Sequence, residues 1–144
     1  MNALFVNGPW LDVRSRDGRN FVLIAPKEIR CDDGTLYRMP AGADSDGAST
    51  PGILWGPPEY LTPFGDYWPA AYAHDCAYRD TLQKWAGGEW IKASLTKEQS
   101  DDLLKALMFA CGTAESTIVK IYEGVALGGG PAFAHDRSLG AHPE

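Results

Sequence analysis

Histidine is scarce in this chain: there are three, and two of them, His135 and His142, lie near the C-terminal end. Any mechanism that needs several imidazoles beside His74 must therefore recruit the tail. Cysteine is equally sparse. Cys31, Cys76 and Cys111 are odd in number and form no C-x-x-C pair, which argues against a disulfide framework or a zinc cluster and for reduced thiols. Cys76 and Cys111 fall on helical patterns and read as small buried hydrophobes. Basic runs are missing too. With 13 Lys and Arg against 19 Asp and Glu, the net charge is -6 and the pI near 5.0, so unassisted binding to nucleic acid or an anionic membrane is not expected. Long apolar runs are also lacking, and Met1 to Pro9 has neither the positive region nor the length of a signal peptide or a span. The expectation is synthesis and folding in the cytoplasm.

What is present is ordinary globular material, 44% hydrophobic and 22% charged over 144 residues, enough for one domain with a core. Residues 3 to 46 read as strands and turns. Trp10 to Val13, Asn20 to Ile24 and Thr35 to Met39 are rich in aromatic and β-branched residues. Arg16-Asp17-Gly18 and Asp32-Asp33-Gly34 between them are hairpin signals, and Lys27 to Arg30 can extend a strand. Pro26 suggests an edge or a bulge. Beyond this meander, Asp44, Asp46 and Ser49 crowd around Gly47, a loop able to offer oxygens to a hard cation, although without EF-hand spacing. Thr50 and Pro51 pattern as the start of a short helix. Gly56 to Gly65, rich in proline, reads as a rigid connecting loop.

The most informative stretch is Ala73-His74-Asp75-Cys76-Ala77-Tyr78-Arg79, within a helix expected from an Asp66 N-cap to about Gln83, with Pro69 in its first turn. Positions four apart share a helix face, so His74 and Tyr78 stand together and Asp75 projects about 100° further round. The flanking alanines allow another helix to approach closely. The plain structural alternative is a core histidine beside a surface Asp75 paired with Arg79. Trp85 to Ile91 reads as a loop whose indoles either fold back over the helices or form an apolar rim for a ligand or partner. Thr96-Lys97-Glu98-Gln99 is a capping box that opens a helix through Cys111, with an apolar stripe at 103, 104, 107, 108 and 111 and Asp101 on its edge. A third helix is expected over 114 to 126. Gly128-Gly129-Gly130-Pro131 then separates a polar arm, 128 to 144, from a single domain over 1 to 127, so deleting 131 to 144 should leave the thermal midpoint nearly unchanged. The fold class is α+β, an N-terminal antiparallel meander packed on an antiparallel helix pair, with a third helix and an extended tail. His74 is expected to touch Asp101.

Asp46-Gly47-Ala48-Ser49-Thr50-Pro51, then His74-Asp75-Cys76-Ala77-Tyr78, then a lone Asp101 opening a later helix, resemble an uncharacterised phage and prophage protein family with D-G-A-S-x-P, H-D-x-x-Y and a following acidic residue in that order. The likeness spans roughly 20 to 127. Where that family usually has threonine before Asp-Gly, this chain has Ser45. A second resemblance is to phospholipase A2 enzymes, which carry H-D-x-x-Y on one helix and an aspartate on its antiparallel partner. It implies His74 as the base that activates water, Asp101 as its orienting carboxylate, Tyr78 bonded to Asp101, and Asp75 with Asp46 as ligands for Ca²⁺. The glycine- and cysteine-rich calcium loop and the disulfides of the secreted enzymes are missing.

Other enzyme classes fit less well. An HD-type phosphohydrolase needs a histidine upstream of His74, and there is none. Ser49 lacks the G-x-S-x-G setting of a nucleophile. Zinc could use His74, Asp75, Asp101 and His135 only with the tail folded back. Two readings follow. One is a phage virion or assembly component, meeting other phage structural proteins and able to oligomerise, in which these side chains form a buried polar network. The other is an ester hydrolase, with Ca²⁺ as a candidate cofactor, acting on lipid of the cell envelope.

Overall fold

The computed structural model describes residues 1–15, 21–45 and 66–140. The expected turn at 16 to 18, the Asp46 to Pro51 loop and helix start, and the Gly56 to Gly65 connection lie outside them. Among the described residues are eight strands and four helices, an α+β fold in which a strand meander precedes the helices.

The strands divide between two antiparallel sheets. One has five strands in the order β1 (Ala3–Phe5), β4 (Lys27–Cys31), β5 (Leu36–Met39), β7 (Gln83–Ala86) and β8 (Glu89–Lys92). The other joins β2 (Val13–Ser15), β3 (Phe21–Leu23) and β6 (Asp44–Ser45). The Asp-Gly signal between β4 and β5 works as expected: Asp33 Oδ1 accepts from Thr35 N at 2.9 Å, and Gly34 takes φ +89°, which a side chain would strain. Ile29 and Cys31 alternate with Glu28 and Arg30, sending the first pair into the core and the second to solvent. Pro26 falls between β3 and β4, where no ladder bond requires its missing N–H. Trp10, expected in a strand, precedes β2 and is exposed.

Helix α1 (Trp68–Arg79) is capped by Tyr67, not Asp66, and no side-chain bond closes its N-terminus. It also stops short of Gln83. Asp80 turns into the left-handed region at φ +57°, and Thr81 and Leu82 both donate to the Cys76 carbonyl, so the chain leaves the helix there. Asp80 in turn accepts from Ser94 N at 2.8 Å and Ser94 Oγ at 3.1 Å, which pins the far end of the next hairpin.

That hairpin, β7–β8, is the main correction in this region, because 85 to 91 is not a loop folded over the helices. Gly87 and Gly88 both take positive φ, as a two-residue turn between right-twisted strands requires, and Trp85 pairs opposite Trp90. The Gly-Gly dipeptide between tryptophan-bearing runs was the available signal.

Helix α2 (Lys97–Ala110) keeps the predicted capping box in full: Thr96 Oγ1 accepts from Gln99 N, and Thr96 N donates to Gln99 Oε1 at 2.9 Å. Leu103, Leu104, Leu107 and Met108 fill the core with Ala70, Ala73 and Ala77 of α1 and Phe5, Ile29 and Met39 of the five-stranded sheet. Helix α3 (Glu115–Gly128) buries Ile118, Ile121 and Val125.

Residues expected as an extended arm instead form α4 (Gly130–Gly140), which packs on α1. Its polar composition hid this, because a cation takes part in the docking. Arg137 donates to the carbonyls of Ala77 (3.0 Å), Tyr78 (3.2 Å) and Leu95 (2.7 Å), which lie at the end of α1 and before α2. A cation at a helix C-terminus meets both unsatisfied carbonyls and the negative end of the dipole. Phe133 adds an edge-on ring contact with Tyr78, centroids 5.1 Å apart.

Candidate functional site

The site lies where α1 meets α2. The small side chains Ala70, Ala73 and Ala77 let the helices approach, and His74 and Asp101 project into the seam, 2% and 3% exposed respectively. His74 Nε2 sits 2.8 Å from Asp101 Oδ1, the contact the sequence led us to expect. Tyr78, one turn after His74, donates its hydroxyl to the same oxygen at 2.7 Å, and its ring lies 4.1 Å from the imidazole.

The other carboxylate oxygen has a partner that the sequence reading missed. Lys97 Nζ donates to Asp101 Oδ2 at 2.7 Å and also to the carbonyls of Val125 (2.8 Å) and Ala126 (3.3 Å) near the end of α3. The i, i+4 spacing of Lys97 and Asp101 was the available signal. What spacing could not show is that the same ammonium caps another helix.

The donors decide the protonation of the group. Burial pushes the Asp101 carboxyl up, but hydrogen bonds from His74, Lys97 and Tyr78 outweigh it and hold it below the ordinary carboxylate range. An ionised carboxylate only accepts, so Nε2 of His74 carries the proton in this pair. In the neutral ring the lone pair is then on Nδ1. Tyr78, buried and bonded to a carboxylate, is pushed far above its ordinary value and stays a neutral donor.

Asp75 is not the surface residue of the plain alternative. It is fully buried, and Ser45 Oγ donates to its Oδ2 at 2.5 Å. Arg79 turns away to the Asp44 carboxylate (3.2 Å) and carbonyl (3.1 Å). The end of β6 is thus held on α1, and Tyr72 strengthens the link by donating to the Ala43 carbonyl at 2.7 Å. Asp46, the other expected metal ligand, lies outside the described residues. Among the described residues no three of His, Cys, Asp and Glu converge on a metal position, and His135 stands exposed on α4, so the zinc set is not assembled. The thiols offer no nucleophile at neutral pH: burial pushes Cys76 up to about 12, and Cys31 and Cys111 to about 11.

Fold and site together define an α+β protein with a carboxylate-oriented histidine at a helix seam. The chain belongs to the DUF1353 family, described as proteins of unknown function, whose family model matches residues 21–125. This agrees with the resemblance to an uncharacterised family and runs from β3 into α3. No curated protein and no solved structure matches the chain.

Proposed function

We propose that the chain is an ester hydrolase in which His74 is the general base, of the kind its resemblance to phospholipase A2 enzymes implies. The observation that carries this reading is the commitment of His74 Nε2 to Asp101 at 2.8 Å, with Tyr78 and Lys97 fixing the carboxylate. In this reading Nδ1 takes a proton from water as the water oxygen attacks the ester carbonyl carbon. The tetrahedral centre then expels the alcohol oxygen, which takes that proton back from Nδ1. Asp101 holds the ring and stabilises the imidazolium between the two steps. The phage or prophage setting implied by the three-motif resemblance makes envelope lipid the natural substrate class.

Calcium enters the proposal through Asp75 and Asp46. The described residues supply one of these two, with an oxygen already engaged by Ser45, so no step is routed through a cation. The test is hydrolysis of phospholipid and short-chain esters, with added Ca²⁺ and with chelator, by the wild type and by His74→Gln. A loss of roughly 10²- to 10⁴-fold in activity per folded molecule is expected for a general base. Wild-type protein that cleaves none of these esters would sink the reading.

A second reading is favoured by one observation, the 2% exposure of His74. Here the same side chains are a satisfied polar network that fixes the α1–α2 register in a phage virion or assembly component. His74→Gln would then lower stability and leave no hydrolysis to lose.

A further inference from the structure

The register of the five-stranded sheet sorts its side chains into two faces, since directly paired residues share one. Ala3, Phe5, Ile29, Cys31, Tyr37 and Met39 are buried on the helix side. The opposite face carries a different chemistry. Leu4 pairs with Arg30 and Arg30 with Leu36, while Glu28 pairs with Arg38, Arg38 with Gln83 and Gln83 with Lys92. Trp85 and Trp90, paired with one another two residues along from Gln83 and Lys92, stand on this face as well.

The charge on this face is opposite to that of the molecule. Among its described strand residues it holds Arg30, Arg38 and Lys92 against the acid Glu28, in a chain with 13 basic and 19 acidic residues. Its apolar members are large and accessible, with Leu4 50% and Trp85 45% exposed. The indoles meet edge-on at 67° with centroids 5.3 Å apart, not as the flat shelf on which a base or sugar stacks, and Arg38 lies 4.5 Å over Trp90. Ile91, 43% exposed on the reverse side, shows that the hairpin tip reaches past the helix layer. Tryptophans flanked by cations on a projecting hairpin match a lipid headgroup boundary, where indoles are amphipathic anchors and each basic side chain adds attraction to anionic lipid.

We propose that this sheet face, with the Trp85–Trp90 hairpin as its anchor, docks on an anionic membrane surface, the acidic remainder of the molecule turning outward. The proposal does not rest on the hydrolytic reading: the face is on the far side of the sheet from the α1–α2 seam, so lipid bound here is not lipid presented to His74. Its test is sedimentation of the whole chain with phosphatidylcholine vesicles, with and without phosphatidylglycerol. Binding is expected only with the anionic lipid and should weaken as salt is added. Arg30→Gln and Lys92→Gln, both exposed, should each lower partitioning about five-fold, and Trp85→Ala should lower it with an unchanged circular dichroism spectrum. Equal binding to neutral vesicles, no wild-type binding, or variants that bind as the wild type does would overturn it. So would self-association through β8 without lipid that the same substitutions abolish, which would assign the face to a second copy of the chain.

Discussion

Replacing Asp101 with Asn keeps the shape of the side chain and removes one acceptor oxygen and the charge. In the native protein Oδ1 receives His74 Nε2 at 2.8 Å and the Tyr78 hydroxyl at 2.7 Å, and Oδ2 receives Lys97 Nζ at 2.7 Å. Whichever way the amide is turned, its NH₂ meets a donor. Facing Lys97, it opposes an ammonium that cannot accept; facing the other side, it forces His74 to change tautomer and Tyr78 to rotate its hydroxyl. Bonds to a buried charge contribute about 1.5–3 kcal/mol each in net terms, and rearrangement recovers part, so a loss of about 2 kcal/mol is expected. For a chain of this size that is a fall of roughly 4–8 °C in thermal midpoint. Because the folded carboxyl is held below its ordinary value, the native state gains from Asp101 above the unfolded pKa, about 3.9, and loses that gain as pH falls through the folded value. The gap between wild type and Asp101→Asn should therefore be full near neutral pH and close on acidification below about pH 4. Calorimetry of both proteins across that range measures it, and a gap that is absent, or that persists unchanged into acid, would refute the account of Asp101 as an ionised acceptor. Stability alone does not separate the two functional readings, since three donors converge on this group in either. Ester hydrolysis does: a roughly 10²- to 10⁴-fold loss in the same variant belongs only to the enzyme.

Tyr78→Phe removes one neutral donor to Asp101 and should cost about 1 kcal/mol by chemical denaturation, with the edge contact to Phe133 kept. Gly129→Ala would set a methyl 2.5 Å from the Val125 carbonyl and 2.8 Å from the Tyr78 hydroxyl, so thermal melts should show a loss of about 1–3 kcal/mol, and a neutral result would mean the α3–α4 junction is not held against α1. Arg137→Gln, or removal of 131 to 144, should lower the midpoint measurably because three carbonyls lose a charged donor; a truncated chain melting like the full one would restore the free arm read from the sequence. Thr96→Ala breaks the capping box and should cost about 1 kcal/mol in urea unfolding, with an unchanged denaturant slope.

Local chemistry was enough to read α2, since the capping box and the stripe at 103, 104, 107 and 108 are written in contiguous residues and hold, while Cys111, expected on the stripe, is a half-buried cap just past the helix end. The same is true of the Asp33-Gly34 turn and of His74 and Tyr78 sharing a face. The contact between His74 and Asp101 was legible as well, because alanines beside one and an apolar stripe beside the other imply a close helix pair. What the sequence misjudged were the places where the deciding partner is remote. Helix α1 ends at Arg79 because Asp80 turns left-handed and is gripped by Ser94, fourteen positions on. The hairpin at 83 to 92 extends a sheet whose other strands begin at Ala3, so its tryptophans join that sheet and do not lie over the helices. A polar segment after three glycines carries no amphipathic signal strong enough to announce α4; Arg137 finds its carbonyls only once α1 and Leu95 are in place. Lys97 likewise reads as an ordinary partner of Asp101 until α3 brings Val125 to it. Periodicity and capping are properties of neighbours along the chain, and these determined the elements. Backbone carbonyls at helix ends carry no residue type, so which side chain satisfies them was decided only by the tertiary structure.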